Sequence, residues 1–183
     1  MARRPTHGFR TALAASAAML LALLILPACS ERDDEREAQA TMPIPAAVQV
    51  PSGNSLKLRY HAVGMQVYTW NATLGHWGAP QPLATLFLGE VLSATHSEGP
   101  VWQHTDGSKV VGAKIGSAEV GATAIPWLLI KAASVSGPGL FADVTYVQRL
   151  NTRGGVAPIG PGSSDGAQVQ VHYEADYLFY HSP

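Results

Sequence analysis

Cysteine is almost absent from this sequence, because Cys29 is the only one among 183 residues. A single cysteine excludes an intrachain disulfide and any zinc site built from several thiolates. Charged residues are also sparse, at 14% of the chain, and no helical periodicity follows the first thirty residues. From Ala38 onward, seven Lys or Arg stand against eight Asp or Glu. No basic stripe is therefore available, and we expect no nucleic-acid partner.

The first thirty residues contain no acidic side chain and have the layout of an export signal. Arg3, Arg4 and Arg10 precede an apolar stretch over residues 12–26, built almost wholly of Ala, Leu, Met and Ile. This order of a basic and then an apolar region is typical of a secretory signal. The stretch is shorter than the roughly 20 residues that span a bilayer, so we expect a processed signal rather than a transmembrane helix.

Residues 26–29, Leu-Pro-Ala-Cys, resemble the lipobox of bacterial lipoproteins, in which a diacylglycerol is attached to the cysteine thiol before cleavage. The alternative is an ordinary signal cleaved after Ala28, but exported proteins normally use cysteines in pairs, and a solitary one favours lipidation. Two or three acyl chains, such as palmitate, hold a protein stably on a membrane. We predict that residues 1–29 are a lipoprotein signal, and that Ser30 after Cys29 directs the protein to the outer membrane, facing the periplasm.

A charged linker is predicted between this signal and the folded domain. Every residue from 31 to 37 is charged, and residues 38–45 add Gln, Thr and two prolines without apolar periodicity. Such a segment cannot bury enough surface to fold. We assign residues 30–45 to a flexible tether and residues 46–183 to a single β-rich domain, which is large enough for a core.

The residue pattern of the domain predicts a succession of β-strands. Leu56, Leu58 and Tyr60 alternate with polar residues, and the same period-two pattern returns after Gly64, which predicts a hairpin at that glycine. Asp106-Gly107 lies between apolar segments and predicts a tight turn. Further strands are predicted at residues 85–88, 91–96, 101–104, 109–114, 127–132, 140–150 and 169–180. Closely spaced strands indicate an all-β, antiparallel β-sandwich or small barrel, and the pattern alone does not choose between these two.

Several blocks in order resemble the family catalogued as domain of unknown function 3455, over residues from about 50 to 180. They are residues 64–69, His96, residues 99–100, Trp102, residues 106–108, 126–129, 147–155, 157–158 and 173–180. The family occurs in exported bacterial and secreted fungal proteins and has no established activity. The resemblance therefore implies a compartment and a fold, and it supplies no catalytic residue.

One departure from the family concerns cysteine. Many relatives have a cysteine where this chain has Trp70 and another near residues 160–162, where this chain has none. The resemblance implies a disulfide that has been lost here as a pair. Burial of the large Trp70 ring is expected to offset part of the missing stability.

The alternative hypothesis is a metal-dependent enzyme or a metal-binding protein that uses histidine ligands. His96 with His104 or His61 is the candidate ligand set, since neutral imidazoles suit zinc or copper. No metal-binding spacing accompanies them. Residues 162–166 match G-x-S-x-G, but they lack the preceding strand and following helix of a hydrolase nucleophile. We therefore expect no catalytic residue and no resident cofactor, with a metal ion as the exception to test.

The leading hypothesis is a noncatalytic envelope module that binds a small molecule, a glycan or an envelope protein. Aromatic side chains with a few polar groups suit such a cleft. A purely structural role for the shared motifs is the other alternative, and it pairs Asp176 with Arg149 across a solvated sheet face. The residues proposed to form the cleft are His96, Trp102, Asp106, Trp127, Arg149 and Asp176.

Overall fold

The computed structural model describes Met1 and residues 42–183. The predicted signal and lipobox, and all but the last four residues of the predicted tether, lie outside the described residues. A short 3-10 helix at Ala46–Val48 precedes nine strands. The strands are β1 (Ser55–Asn71), β2 (His76–Trp77), β3 (Gln81–Leu88), β4 (Val91–Ser97), β5 (Val101–His104), β6 (Lys109–Ala118), β7 (Trp127–Ser136), β8 (Val144–Gly154) and β9 (Gln168–His181).

Eight of these strands close into an antiparallel barrel. Each strand from β3 to β8 pairs with the next along the chain, and β1 pairs with β3 on one side and with β9 on the other. The remaining strand, β2, lies outside this barrel and pairs with the end of β1, where Trp77 lies opposite Trp70. The all-β antiparallel prediction is confirmed, and the pairing of β1 with β9 identifies a barrel, since that pairing leaves no open edge between the first and last strands.

The hairpin predicted at Gly64 is wrong, because β1 runs unbroken through this residue for 17 positions. Gly64 lies opposite Ala84 of β3. A Cβ atom at residue 64 would overlap the Leu83 carbonyl oxygen and the Ala84 side chain. The glycine therefore allows the two backbones to approach closely, which is a known use of glycine inside strands.

The barrel interior is filled with aromatic and aliphatic side chains. Alternate residues of β1 and β9 point inward, and Phe141 stacks on Phe179 with ring centroids 4.5 Å apart. Tyr173, Tyr177 and Phe179 belong to this core, as the alternation in β9 predicts. The strand predicted over residues 140–150 begins only at Val144, because Phe141 lies in a turn and inserts its ring into the barrel core.

The segment before β1 covers the outer face of β6 to β9. Gln148 donates a hydrogen bond to the Val48 carbonyl at 2.6 Å, and the Ala47 carbonyl lies against Gly116, where a larger residue would collide. Met42 also packs against this outer cluster. Its buried members are Val48, Trp127, Leu129, Leu150 and Leu178. Among the described residues, no helix has the length and apolar character needed to cross a bilayer.

Candidate functional site

One end of the barrel opens into a cavity of about 550 Å³. We call this the mouth end; it carries the β4–β5 turn and the β6–β7 connection, whereas the opposite base end carries the β5–β6 turn and the β7–β8 connection. The apolar part of the wall includes Ile125, Leu128 and Ile130. Its polar part includes Gln66, His96, Trp102 and Arg149.

Arg149 is the charged group inside this cavity. It alternates with Gln148, which faces the outer cluster, so the β8 pleat directs Arg149 inward, where it is only 8% exposed. Its Nε and Nη2 atoms donate to the Pro126 carbonyl oxygen at 3.2 and 2.9 Å. Within the described residues, no carboxylate lies within 4.0 Å of the guanidinium, and Nη1 has no hydrogen-bond acceptor.

His96 forms a flat polar surface beside the arginine. Its ring stacks on Trp102 with centroids 4.4 Å apart and planes 4° from parallel. The Nδ1 atom donates to the Val101 carbonyl oxygen at 2.9 Å, which fixes Nε2 as a bare acceptor. Burial is the main cause that lowers the pKa of His96 to about 3; the Arg149 charge lowers it as well, and the hydrogen bond to Val101 opposes both by raising it. The imidazole is therefore neutral at physiological pH.

Two cavity-lining side chains hold buried N–H groups that lack an acceptor. These are Gln66 Nε2 and Trp102 Nε1, and each residue is only 1% exposed. A buried donor left without a partner costs about 1–3 kcal/mol, so native structures leave few of them. Together with Arg149, the cavity offers hydrogen-bond donors that the described protein groups do not satisfy.

The Asn-Thr-Arg-Gly-Gly block at the end of β8 holds the cavity wall in place. Asn151 adopts a φ of 51° at a bulge, a conformation that asparagine tolerates better than most residues. Thr152 then donates to the Ile125 carbonyl at 2.5 Å, and the Ile125 amide donates to Gly154 at 3.0 Å. With the bonds of Arg149 to Pro126, these contacts fix the β6–β7 connection over the mouth.

Asp106, a predicted cleft residue, lies at the base end, away from the cavity. Its Oδ1 accepts hydrogen bonds from the Ser108 amide and hydroxyl, and its Oδ2 accepts one from the Leu140 amide. These hydrogen bonds, led by the Ser108 hydroxyl, hold the pKa of Asp106 well below its usual range. Asp106 therefore connects two loops and does not line the cavity.

Asp176 and Trp127 face outward and do not join the cleft. The expected pairing of Asp176 with Arg149 is wrong, because the pleat places these side chains on opposite faces of the sheet. Asp176 instead accepts from Arg59 at 2.6 Å and Asn151 at 2.8 Å. Burial raises the pKa of Asp176, but bonds from His61, Asn151 and Arg59 outweigh it and hold that pKa well below its usual range. Trp127 packs beneath the N-terminal segment.

The candidate metal ligands have separate environments. His104 uses both ring nitrogens inside the barrel, one with the Tyr60 hydroxyl at 3.2 Å and one accepting from the Asp106 amide at 3.1 Å. His61 is on the outer face between Glu174 and Asp176. His96 lies apart at the cavity. No group of three or more His, Cys, Asp or Glu residues in the described part of the chain is placed to hold a metal ion.

Comparison with known families gives one match. The model of a family described as "Protein of unknown function (DUF3455)" matches residues 87–181, which is more than half of the chain. The chain belongs to this family. The DUF3455 match covers β4 to β9 and therefore includes His96, Trp102 and Arg149, whereas Gln66 lies before it. No curated protein and no solved structure matches the chain.

Of the predicted cleft residues, the structure brings His96, Trp102 and Arg149 together. Sequence reasoning missed Gln66, which lines the cavity together with Tyr68 and Tyr177. For Gln66 a signal existed, because it shares a strand face with Tyr60 and Ala62, both fully buried. A polar residue in such a row is an interior polar residue, and interior polar residues need partners.

Proposed function

We propose that this protein is a noncatalytic, lipid-anchored envelope protein whose barrel binds a small molecule in the mouth-end cavity. The observation that carries the proposal is the combination of a cavity of about 550 Å³ with buried donors on its wall that find no acceptor among the described residues. Ligand pockets fall in the range of roughly 300–1,000 Å³ and combine an apolar lining with a few placed polar groups.

The charged and aromatic wall supports binding rather than catalysis. His96 is neutral and its Nδ1 atom is held by Val101, and its lowered pKa of about 3 makes it a weak base. Arg149 and the stacked pair of His96 with Trp102 present hydrogen-bonding groups and a flat surface. These features recognise a ligand and supply no general base near the operating pH.

Filling the cavity should abolish ligand stabilisation. Leu128 lies opposite Arg149 and lines the cavity, so a Leu128→Trp variant places an indole in the ligand volume. We expect a small-molecule extract of the cell envelope to raise the melting temperature of the natural protein by several degrees and to leave Leu128→Trp unchanged. A ligand at about 100 times its Kd adds about 2.7 kcal/mol.

Lys131→Trp is the matched control, because Lys131 lies on β7 and is exposed outside the barrel. This variant should respond to the extract as the natural protein does. An equal response from Leu128→Trp would place the ligand outside the cavity. No response from the natural protein to envelope small molecules, glycans or lipids would remove the binding function.

The address forms part of the proposal and has its own test. The lipobox ending at Cys29 and its lack of a partner cysteine support lipid attachment, and Ser30 supports an outer-membrane location. Cells grown with radioactive palmitate should label the natural protein and leave a Cys29→Ala variant unlabelled. Equal labelling of both proteins would mean that no lipid is attached at this thiol.

A further inference from the structure

Arg149 indicates the charge of the molecule that the cavity takes. Moving a cation from water into a protein interior costs several kcal/mol unless a counter-charge compensates it. Here Arg149 is 8% exposed, and no carboxylate among the described residues lies within 4.0 Å of its guanidinium. Two bonds to the Pro126 carbonyl hold the group in place, but a carbonyl dipole carries no net charge.

We infer that the cavity binds a monocarboxylate whose apolar body lies against the wall formed by Ile125, Leu128 and Ile130. This inference rests on the proposed binding function and names the ligand class. The carboxylate faces Arg149, and the guanidinium nitrogen Nη1 is available to donate to it. Charge-assisted bonds of this kind are shorter and about twice as strong as neutral ones.

The number of charges favours one negative charge on the ligand rather than two. Arg149 is the single buried cation on the cavity wall, while Lys114 and Glu98 at the rim have opposite charges. A phosphate monoester brings about 1.5 to 2 negative charges near pH 7. One guanidinium with the neutral donors of Gln66 and Trp102 matches a carboxylate, and would leave part of a phosphate charge uncompensated.

Isothermal titration with matched naphthalene compounds tests the inference. The full-length protein is held in phosphatidylcholine nanodiscs, with empty nanodiscs as the blank, and is titrated with 2-naphthoate, 2-naphthamide and 2-naphthyl phosphate. We expect 2-naphthoate to bind at least about tenfold more tightly than its neutral amide, the size of effect typical of a hydrogen bond to a charged group. The phosphate should bind more weakly than the carboxylate.

Substitutions then locate the preference. Arg149→Gln should bind naphthoate and naphthamide equally, Arg149→Lys should keep a preference for the carboxylate, and the exposed Lys131→Gln should behave as the natural protein does. Arg149→Lys retains a cation and keeps the test valid if Arg149→Gln does not fold. A tenfold preference that survives in folded Arg149→Gln would overturn the assignment to this residue.

The failures of the two proposals are distinguishable. Equal binding of naphthoate and naphthamide, blocked by Leu128→Trp, would overturn the carboxylate class and leave the binding cavity in place. Tighter binding of the phosphate would overturn the monoanion. If no naphthalene compound binds while the envelope extract still stabilises the natural protein, the carboxylate inference is wrong and the binding function stands.

Discussion

Gly64→Ala is expected to destabilise the barrel by at least about 3 kcal/mol, which is the upper end of the usual range for overpacked cores. The added methyl would overlap the Leu83 carbonyl oxygen and the Cα and Cβ atoms of Ala84. Most of these atoms are backbone, so they cannot rotate away as a side-chain tip can. Relief requires β1 and β3 to separate at Gly64. Urea unfolding followed by tryptophan fluorescence measures the loss.

Gly121→Ala is the matched control for this prediction. A Cβ atom at residue 121 meets nothing within 4 Å, and the backbone there is outside the left-handed region. Its effect should stay within about 0.5 kcal/mol, as for ordinary surface changes. If Gly64→Ala were as stable as Gly121→Ala, close approach of β1 to β3 would not be a determinant of the barrel.

Gly64 also shows how far sequence pattern reaches in this fold. The alternation on both sides of the glycine predicts extended backbone correctly, because the pleat imposes period two on any half-buried strand. It cannot distinguish a turn from a bend, since glycine serves both. The choice depends on Ala84, a residue of another strand, and local pattern carries no information about that partner. The same limit applies to the choice between a sandwich and a barrel, because that choice depends on the pairing of β1 with β9.

The sequence predicts only part of the cavity, and the cause of this limit is similar. The sequence offers several candidates for a cleft, since a large aromatic ring and polar groups within strands suit a binding site. Among these are His96, Trp102 and Arg149. Residue type does not predict which candidates lie together, because Asp176 is a candidate on the same grounds and its side chain faces outward. Strand alternation separates Arg149 from Gln148 only once the burial of one of them is known. The N-terminal segment buries Gln148 from outside, so both faces of β8 are covered and hydropathy does not identify the inner one.

Replacing Trp70 and Gly162 together by cysteine should create a disulfide that stabilises the protein by about 2–4 kcal/mol. A Cβ atom at residue 162 would lie 2.6 Å from Trp70 Cβ, so the two positions are neighbours. A disulfide needs Cβ atoms about 3.5–4.5 Å apart, and residue 162 lies in a connection outside any strand that can shift by the remaining ångström. The crosslink closes a loop of about 90 residues, which the chain-entropy model rewards strongly.

The comparison is made within one variant, between its oxidised and reduced forms, because the natural chain has no other cysteine than Cys29. Each single cysteine variant is the control and should show no change in stability on reduction. Failure of the double variant to crosslink, or equal stability of its two forms, would contradict the neighbouring placement of residues 70 and 162.

The reduced double variant separately tests whether Trp70 takes the place of the disulfide that the family resemblance implies. The Trp70 ring packs edge to face on Trp77 with centroids 5.3 Å apart, and Trp77 in turn donates to the Gly160 carbonyl at 3.0 Å. Aromatic pairs of this kind contribute about 0.5–1.5 kcal/mol beyond burial. The reduced variant should therefore be less stable than the natural protein, and the oxidised variant more stable. That order follows if the indole pair joins β1, through Trp77 of β2, to the residue-160 connection noncovalently. The disulfide would join β1 to the same connection covalently.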